Sequence, residues 1–219
     1  MNRFLKILFF ALLVKPMVLL GLGLNVFFKA KLPKQGPAIV VANHNSHLDT
    51  LVLMSLYPLS QIHKIRPVAA ADYFLKNKLL AWFSLNIIGI IPMQRKHIRD
   101  TSALFAQCHR ALDDGDILLL FPEGSRGKPE QLSDLKRGVH HLIKSRKTLK
   151  VIPVMMHGLG KALPKGEMIF VPFNCDVVVG DAIPFNADAK CYIDSVSDAL
   201  NLLLALCMTR QSVVKDDLE

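Results

Sequence analysis

Cysteine is scarce in this chain, and no two cysteines form a CxxC pair. The four that occur, Cys108, Cys175, Cys191 and Cys207, are too scattered for the short ligand spacing of a zinc site or for a disulfide framework. We therefore expect reduced, mostly buried thiols in a cytosolic compartment. The length of 219 residues suits a single domain, so we expect one active site rather than several modules.

Acidic residues are missing from the first 48 positions, where every charged side chain is basic. These side chains are Arg3, Lys6, Lys15, Lys29, Lys31 and Lys34. The whole chain has a formal net charge of +9 and is 51% hydrophobic, a combination typical of a protein that rests on an anionic surface. Because the basic residues flank apolar runs, they favour a lipid leaflet facing the cytoplasm over nucleic acid. A solubilising excess of charge is the alternative.

No apolar run in this region reaches the ~20 residues that a simple spanning helix needs. One run covers 7–14 and another covers 16–28, and Lys15-Pro16 separates them. Proline suits the first turn of a helix but costs about 3 kcal/mol in its interior. We therefore predict two short helices that form a membrane anchor within residues 1–35. A single kinked span over 5–28 and a cleaved signal peptide are the alternatives, although no small-x-small cleavage site precedes Lys31.

Beyond Pro37, short β-branched runs alternate with longer helical stretches, which predicts an α/β domain over 36–219 with a mostly parallel sheet flanked by helices. The predicted strands cover 38–42, 66–70, 87–91, 116–121 and 149–156, with a final pair at 167–171 and 176–179. The predicted helices cover 49–57, 73–85, 98–112, 132–147 and 189–208. Three polar clusters, NHNSHLD, PMQR and PEGSRG, each follow a strand. Since ligands bind at the carboxyl ends of parallel strands, we expect the clusters to share one crevice.

The NHNSHLD segment has three interpretations. In the first, Ser46 caps a helix and Asp49 bonds back to it, which requires no catalysis. In the second, His44, His47 and Asp49 bind a metal, although two residues separate the histidines where binuclear metallohydrolases have one. In the third, Asp49 orients His44 as a base that takes a proton from a hydroxyl attacking an acyl carbon. His47 has Val52 at the corresponding distance, so we assign the base to His44.

Written as NH-x-S-x-x-D, this segment closely resembles the first motif of the glycerolipid acyltransferases, in particular those that use 1-acylglycerol-3-phosphate. Three further blocks resemble the family's later motifs in order and approximate spacing: GIIPMQR at 89–95, FPEGSR at 121–126 and VIPV at 151–154. The resemblance implies transfer of a fatty acyl group from acyl-CoA or acyl carrier protein to a lysophospholipid hydroxyl, giving phosphatidic acid from 1-acylglycerol-3-phosphate. It also implies a membrane-bound α/β acyltransferase fold with an N-terminal two-helix anchor.

Carried over residue by residue, the resemblance makes His44 the base and Asp49 its partner. It also implies that Arg95, Glu123 and Arg126 hold the phosphate end of the acceptor. Arginine suits this role because its planar guanidinium donates two parallel hydrogen bonds to phosphate. Glu123 cannot bind phosphate directly, so we expect it to orient an arginine or an acceptor hydroxyl.

The loop around Ser125 is expected to bind the same phosphate. Ser125 stands where the family usually has threonine, and it keeps the hydroxyl. Gly124 and Gly127 allow backbone N–H groups to form an anion nest. On the acyl side, the resemblance implies that Pro153 shapes the pocket.

The main hypothesis is direct acyl transfer without a covalent acyl-enzyme, with no metal and no cofactor beyond the thioester cosubstrate. The expected partners are membrane phospholipids, a lysophospholipid acceptor, and acyl-CoA or acyl carrier protein, but not nucleic acid. The active site is expected on the cytoplasmic face of the inner membrane. Three alternatives stay open: another lyso-lipid acceptor, a metal-dependent phospholipid hydrolase, and a non-catalytic membrane-surface module.

Overall fold

A computed structural model of the chain describes residues 2–74, 77–94, 101–127, 130–162 and 173–210. Within these residues, seven strands form one sheet: β1 (Gly23–Phe27), β2 (Ala38–Ala42), β3 (Ile65–Ala70), β4 (Ile91–Met93), β5 (Ile117–Leu120), β6 (Lys150–His157) and β7 (Asn174–Val179). Their order is β1-β7-β6-β2-β5-β3-β4. All neighbours are parallel except β6 and β7, so β1 and β7 run opposite to the other strands.

Helices cover both faces of this sheet. They are α1 (Arg3–Gly21), α2 (Asp49–Ser55), α3 (Ala71–Phe74), α4 (Lys78–Ile88), α5 (Thr101–Asp113), α6 (Gly138–Ile143), α7 (Leu159–Ala162) and α8 (Ala189–Ala205). Side chains of α1 and α2, such as Phe10 and Leu53, pack in one core. Side chains of α5, α6 and α8, such as Phe105 and Tyr192, pack in the core on the other face. The predicted α/β class with a mostly parallel sheet is confirmed.

Most of the predicted strands are confirmed within two residues at each end: those at 38–42, 66–70, 116–121, 149–156 and 176–179. They were recognisable because central parallel strands are buried on both faces and appear as continuous apolar runs. In β2 and β5 every residue is buried. The strand predicted at 167–171 lies outside the described residues.

The strand predicted at 87–91 is wrong. Helix α4 continues through a π-helical turn to Ile88, and Gly89 ends it with a positive φ of 76°. Glycine adopts this left-handed conformation without the steric cost of a side chain. Strand β4 therefore begins only at Ile91.

The helix predicted at 132–147 is confirmed only over Gly138–Ile143. The residues before it form no regular structure because their backbone N–H groups bond to the loop that follows β5. Ser133 N–H donates to the Glu123 carboxylate (3.1 Å) and Lys136 N–H donates to Pro122 O (2.9 Å). These contacts between distant residues override the local helical pattern.

The N-terminal segment differs from the predicted two-helix anchor. Helix α1 runs without a break over Arg3–Gly21, and its Phe10–Val14 turn is π-helical. Such a turn is a local distortion of the kind that lets a helix continue past Pro16. The following residues form the edge strand β1, which pairs with β7, so part of the run predicted as a second helix is a strand.

Helix α1 packs along the domain. Phe10, Val14 and Val18 are buried, and Lys6 Nζ donates a hydrogen bond to Ile65 O (3.0 Å). By length and composition, α1 is long and apolar enough to cross a membrane. Residues 1–35 were predicted as a separate anchor. Their described part instead contributes a helix that packs against the domain and an edge strand of the sheet.

We predict that Phe10→Ala lowers the free energy of unfolding by about 3 kcal/mol, because it leaves a cavity under α1. The wild-type side chain is 0% exposed and makes an edge-to-face contact with Phe9. Chemical denaturation in detergent measures this effect. The control is Leu19→Ala on the same helix, where the side chain is 75% exposed; a similar loss in both variants would contradict the packing of α1.

Candidate active site

Two of the polar clusters meet at the carboxyl edge of the sheet. NHNSHLD follows β2 and FPEGSR follows β5, and these strands are direct neighbours with Val41 opposite Leu120. The expected shared crevice therefore exists for these two clusters. The third cluster, PMQR, begins inside β4 with Pro92 and Met93, and its Arg95 lies outside the described residues.

The buried Asp49 carboxylate organises the first cluster. Its Oδ2 accepts hydrogen bonds from His44 Nδ1 (2.9 Å), Asn45 N–H (2.7 Å) and Ser46 N–H (2.8 Å). The bond from Ser46 N–H to Asp49 and the bond from Leu48 N–H to Ser46 Oγ (3.2 Å) are the reciprocal bonds that the capping interpretation predicts, although the regular helix α2 begins only at Asp49. Because a carboxylate only accepts, His44 Nδ1 carries the proton, and its Nε2 is left as an acceptor.

Glu123 holds the backbone of His44. One carboxylate oxygen accepts from His44 N–H (2.7 Å) and the other from Ser133 N–H. Burial raises the pKa of Glu123, and these backbone hydrogen bonds oppose that rise. Both oxygens thus bond to backbone and join the two motif loops, while the expected role of Glu123 in orienting an arginine or an acceptor hydroxyl stays a prediction.

Asn43 and Phe121 also support the histidine, and sequence reasoning gave neither a role. The Asn43 side chain donates to Met156 O (2.8 Å) and accepts from Met156 N–H (2.7 Å), which fixes the end of β2 against β6. The Phe121 ring stacks on the His44 ring, with the centroids 4.2 Å apart. Both residues stand inside motif blocks, and that position was the only available signal.

The anion nest predicted for the loop around Gly124 and Gly127 stays a prediction, but the N–H groups of these two glycines bond within the protein. Gly124 N–H donates to Phe121 O and Gly127 N–H donates to His44 O, both at 3.0 Å. These two groups close the loop on itself and on the first cluster, so they serve the architecture of the site. The positive φ of 76° at Gly124 explains the glycine there.

A pocket of about 510 Å³ opens beside the two clusters. Its polar lining includes His44, His47, Ser125 and Arg126, and its apolar lining includes Leu51, Leu80, Phe83, Ile88 and Ile90. Pro153, expected on the acyl side, is buried inside β6 with its carbonyl bonded to Gly180 N–H, and it is not among the described residues that line this pocket. The pocket thus combines a polar, basic part with an apolar wall.

His47 and Arg126 contact each other in this pocket, His47 through its Nε2 atom. Burial lowers the pKa of His47, and the charges of Arg126 and His44 lower it further. His44 and His47 therefore have opposite partners, a carboxylate and a guanidinium. Among the described residues, no three His, Cys, Asp or Glu side chains are grouped to hold a metal ion.

The family model described as Acyltransferase matches residues 23–157, more than half of the chain. This chain belongs to the acyltransferase family. The resemblance inferred from four short motifs is thereby confirmed.

Two curated relatives of this acyltransferase chain are named 1-acyl-sn-glycerol-3-phosphate acyltransferases. The one from Chlamydomonas reinhardtii is 28% identical over 169 residues, which cover 77% of this chain and 48% of the relative. The human alpha form is also 28% identical over 169 residues, covering 76% of this chain and 56% of the relative. The chain thus spans about half the length of these relatives.

A solved structure has the same fold. It is the 1-acyl-sn-glycerophosphate (LPA) acyltransferase PlsC from Thermotoga maritima, which matches with a TM-score of 0.72. The match covers 93% of this acyltransferase chain and 80% of the other chain at 18% identity. At that identity the likeness concerns the fold.

We predict that Asn43→Ala lowers the free energy of unfolding by about 2 to 4 kcal/mol, because two buried backbone groups of Met156 lose their partner. Denaturant titration measures the loss. Asn201→Ala on the exposed side of α8 is the matched control, and we expect it to change stability by less than about 0.5 kcal/mol. Equal effects of the two substitutions would contradict the role of Asn43.

Proposed function

We propose that this acyltransferase transfers a fatty acyl group from an acyl thioester to the free hydroxyl of a lysophospholipid, most directly 1-acylglycerol-3-phosphate, giving phosphatidic acid. The observation that carries the proposal is the His44–Asp49 pair on the wall of a pocket that also holds Arg126 and an apolar lining. A base, an anion-binding group and space for an acyl chain thus adjoin one another. The relatives named 1-acyl-sn-glycerol-3-phosphate acyltransferases support the same acceptor.

In the proposed reaction His44 acts as a general base. Its Nε2 takes the proton of the acceptor hydroxyl while the hydroxyl oxygen attacks the thioester carbonyl carbon. The C–S bond then breaks, and the leaving thiolate takes that proton from the imidazolium. Asp49 holds the required tautomer and stabilises the cation that forms between the two steps.

The two parts of the pocket suit the two ends of the substrates. Leu51, Phe83 and Ile90 offer an apolar wall to an acyl chain. Arg126 offers a fork of N–H donors to a phosphate, and its charge cannot be lost at physiological pH. The donor is acyl-CoA or an acyl carrier protein; both present the same thioester.

The protein is proposed to bind the cytoplasmic face of the inner membrane through an apolar face formed by α1 and α4. These helices are adjacent, since Phe9 and Phe83 contact edge to face at 5.2 Å. Their large exposed apolar side chains are Phe4, Leu8, Leu12, Leu13, Leu19, Leu20, Leu79, Leu80 and Trp82. Of the basic residues in the first 34 positions, the exposed Arg3 and the half-buried Lys15 lie on α1 itself, where their charges favour anionic lipid. Leu80 and Phe83 also line the pocket, so an acyl chain can enter from the leaflet.

We predict that His44→Ala lowers the rate of acyl transfer by a factor of about 10² to 10⁴, because the general base is lost. Membranes containing the variant are incubated with labelled acyl-CoA or acyl carrier protein and a panel of lyso-lipids, and products are identified by mass. His109→Ala on α5 is the control and should retain the wild-type rate.

Wild-type transfer by a folded His44→Ala protein would overturn the base assignment. Transfer to a lyso-lipid other than 1-acylglycerol-3-phosphate would correct the acceptor. Release of free fatty acid that stops on addition of a chelator would instead indicate the metal-dependent hydrolase.

We predict that Leu12→Glu and Trp82→Glu each weaken binding to vesicles containing anionic phospholipid by about tenfold, because a charge then enters the apolar face. Vesicle flotation measures the bound fraction. Leu202→Glu on α8 is the matched control, since its side chain is 71% exposed but its helix packs on the opposite face of the sheet. Equal loss in all three variants would contradict this orientation.

A further inference from the structure

We propose that His47 is a second ligand of the acceptor's phosphate group and that it takes up a proton when the phosphate binds. The inference deepens the proposed function and rests on it. His47 occupies a variable position of the NH-x-S-x-x-D motif, so the motif assigns it no role. It lines the same pocket as His44 and Arg126.

The contact between His47 and Arg126 determines which nitrogen of His47 is protonated. A guanidinium only donates hydrogen bonds, so His47 Nε2 accepts in this contact through its lone pair. The proton of the neutral ring is then on Nδ1. His47 thus accepts from an Arg126 N–H group that a bound phosphate would otherwise use.

A phosphate that binds Arg126 changes this arrangement. Its oxygens are stronger acceptors than imidazole and take over the guanidinium N–H groups. His47 Nε2 then faces an anionic oxygen, and two acceptors cannot bond to each other. Protonation of Nε2 turns this conflict into a charge-assisted hydrogen bond, so phosphate binding favours the imidazolium.

The charges around His47 favour the neutral ring before the ligand arrives. Burial lowers the pKa of His47 first, followed by the charges of Arg126 and His44, while Asp49 raises it. Asp72 on α3 lines the same pocket. A bound phosphate adds a charge of about −1.5 to −2, which offsets the guanidinium. Within the described residues, the charged and titratable groups around His47 include His44, Asp49, Asp72 and Arg126.

The affinity for phosphate is expected to depend on pH, because the pKa of His47 differs between the free and the phosphate-bound protein. The pKa of His47 lies below its ordinary 6.5 in the free protein and rises when the phosphate binds. The contribution of His47 to affinity is therefore complete below the free pKa and is lost as the pH rises through the bound pKa. The phosphate has its own pKa of about 6, and a comparison between variants on one ligand cancels that contribution.

Binding of dodecyl phosphate tests the inference, because this probe has the phosphate and the chain but no hydroxyl to acylate. Calorimetry of the full chain in detergent, in two buffers of different ionisation enthalpy, gives the affinity and the protons taken up. We expect His47→Asn to take up fewer protons than wild type and to bind about 5- to 10-fold more weakly at about pH 6, but less than about twofold more weakly at about pH 8. His109→Asn should match wild type.

A second variant separates charge from structure. His47→Lys carries a fixed charge, so we expect it to bind as tightly as wild type at about pH 6 with proton uptake as low as that of His47→Asn. Equal proton uptake in wild type and His47→Asn, or a loss of affinity that is the same at both pH values, would overturn the inference.

The test also distinguishes failure of the inference from failure of the proposed function. If His47→Asn behaves as wild type while Arg126→Ala loses affinity, the phosphate site stands and the inference about His47 is overturned. A wild-type protein that does not bind the probe at all overturns both the inference and the phosphate-bearing acceptor.

Discussion

The Asp49 carboxylate is the constraint on which the site depends. It is 1% exposed, and a buried carboxylate without partners would be costly, so the chain around it turns to supply donors. Its Oδ2 collects the backbone N–H groups of Asn45 and Ser46 together with His44 Nδ1. The same three bonds begin helix α2 and orient the histidine ring. The capping and dyad interpretations of this segment thus describe one arrangement.

A second constraint connects this turn to the rest of the molecule. The parallel pairing of β2 with β5 ends both strands at one edge, but pairing alone does not align the loops beyond it. Glu123 and Gly127 do so by bonding to the N–H and the C=O of His44. Asn43 adds the connection to β6. His44 directly follows β2, its backbone is bonded to the loop after β5, and Asn43 beside it is bonded to β6. These contacts fix the position of His44 next to Phe121, on which its ring stacks.

The parts of the fold that were predictable from sequence are those whose pattern is local. Strands β2 and β5 are buried on both faces, and their apolar runs indicate this directly. The strand at Gly23–Phe27 was missed because it continues an apolar helical run and is defined only by its pairing with β7, about 150 residues away. The helix predicted from 132 begins only at Gly138, because the Ser133 N–H donates a hydrogen bond to the Glu123 carboxylate. Hydrogen bonds between residues that are distant in the chain cannot be recognised in the local sequence pattern.

The same distinction applies to the site. The spacing of His44 and Asp49 was sufficient to predict that they meet, since only a turn of one short segment separates them. The glycines of the PEGSRG loop suggested an anion nest, yet the N–H groups of Gly124 and Gly127 bond to carbonyls, and the second of these carbonyls belongs to His44. Glycine there permits a close approach between two loops, which a sequence cannot distinguish from an approach to a ligand. Among the side chains of this loop, Arg126 carries a positive charge and contacts His47. Under the proposed function, recognition of the acceptor's phosphate therefore involves Arg126, whose charge is fixed, and His47, whose charge responds to the ligand.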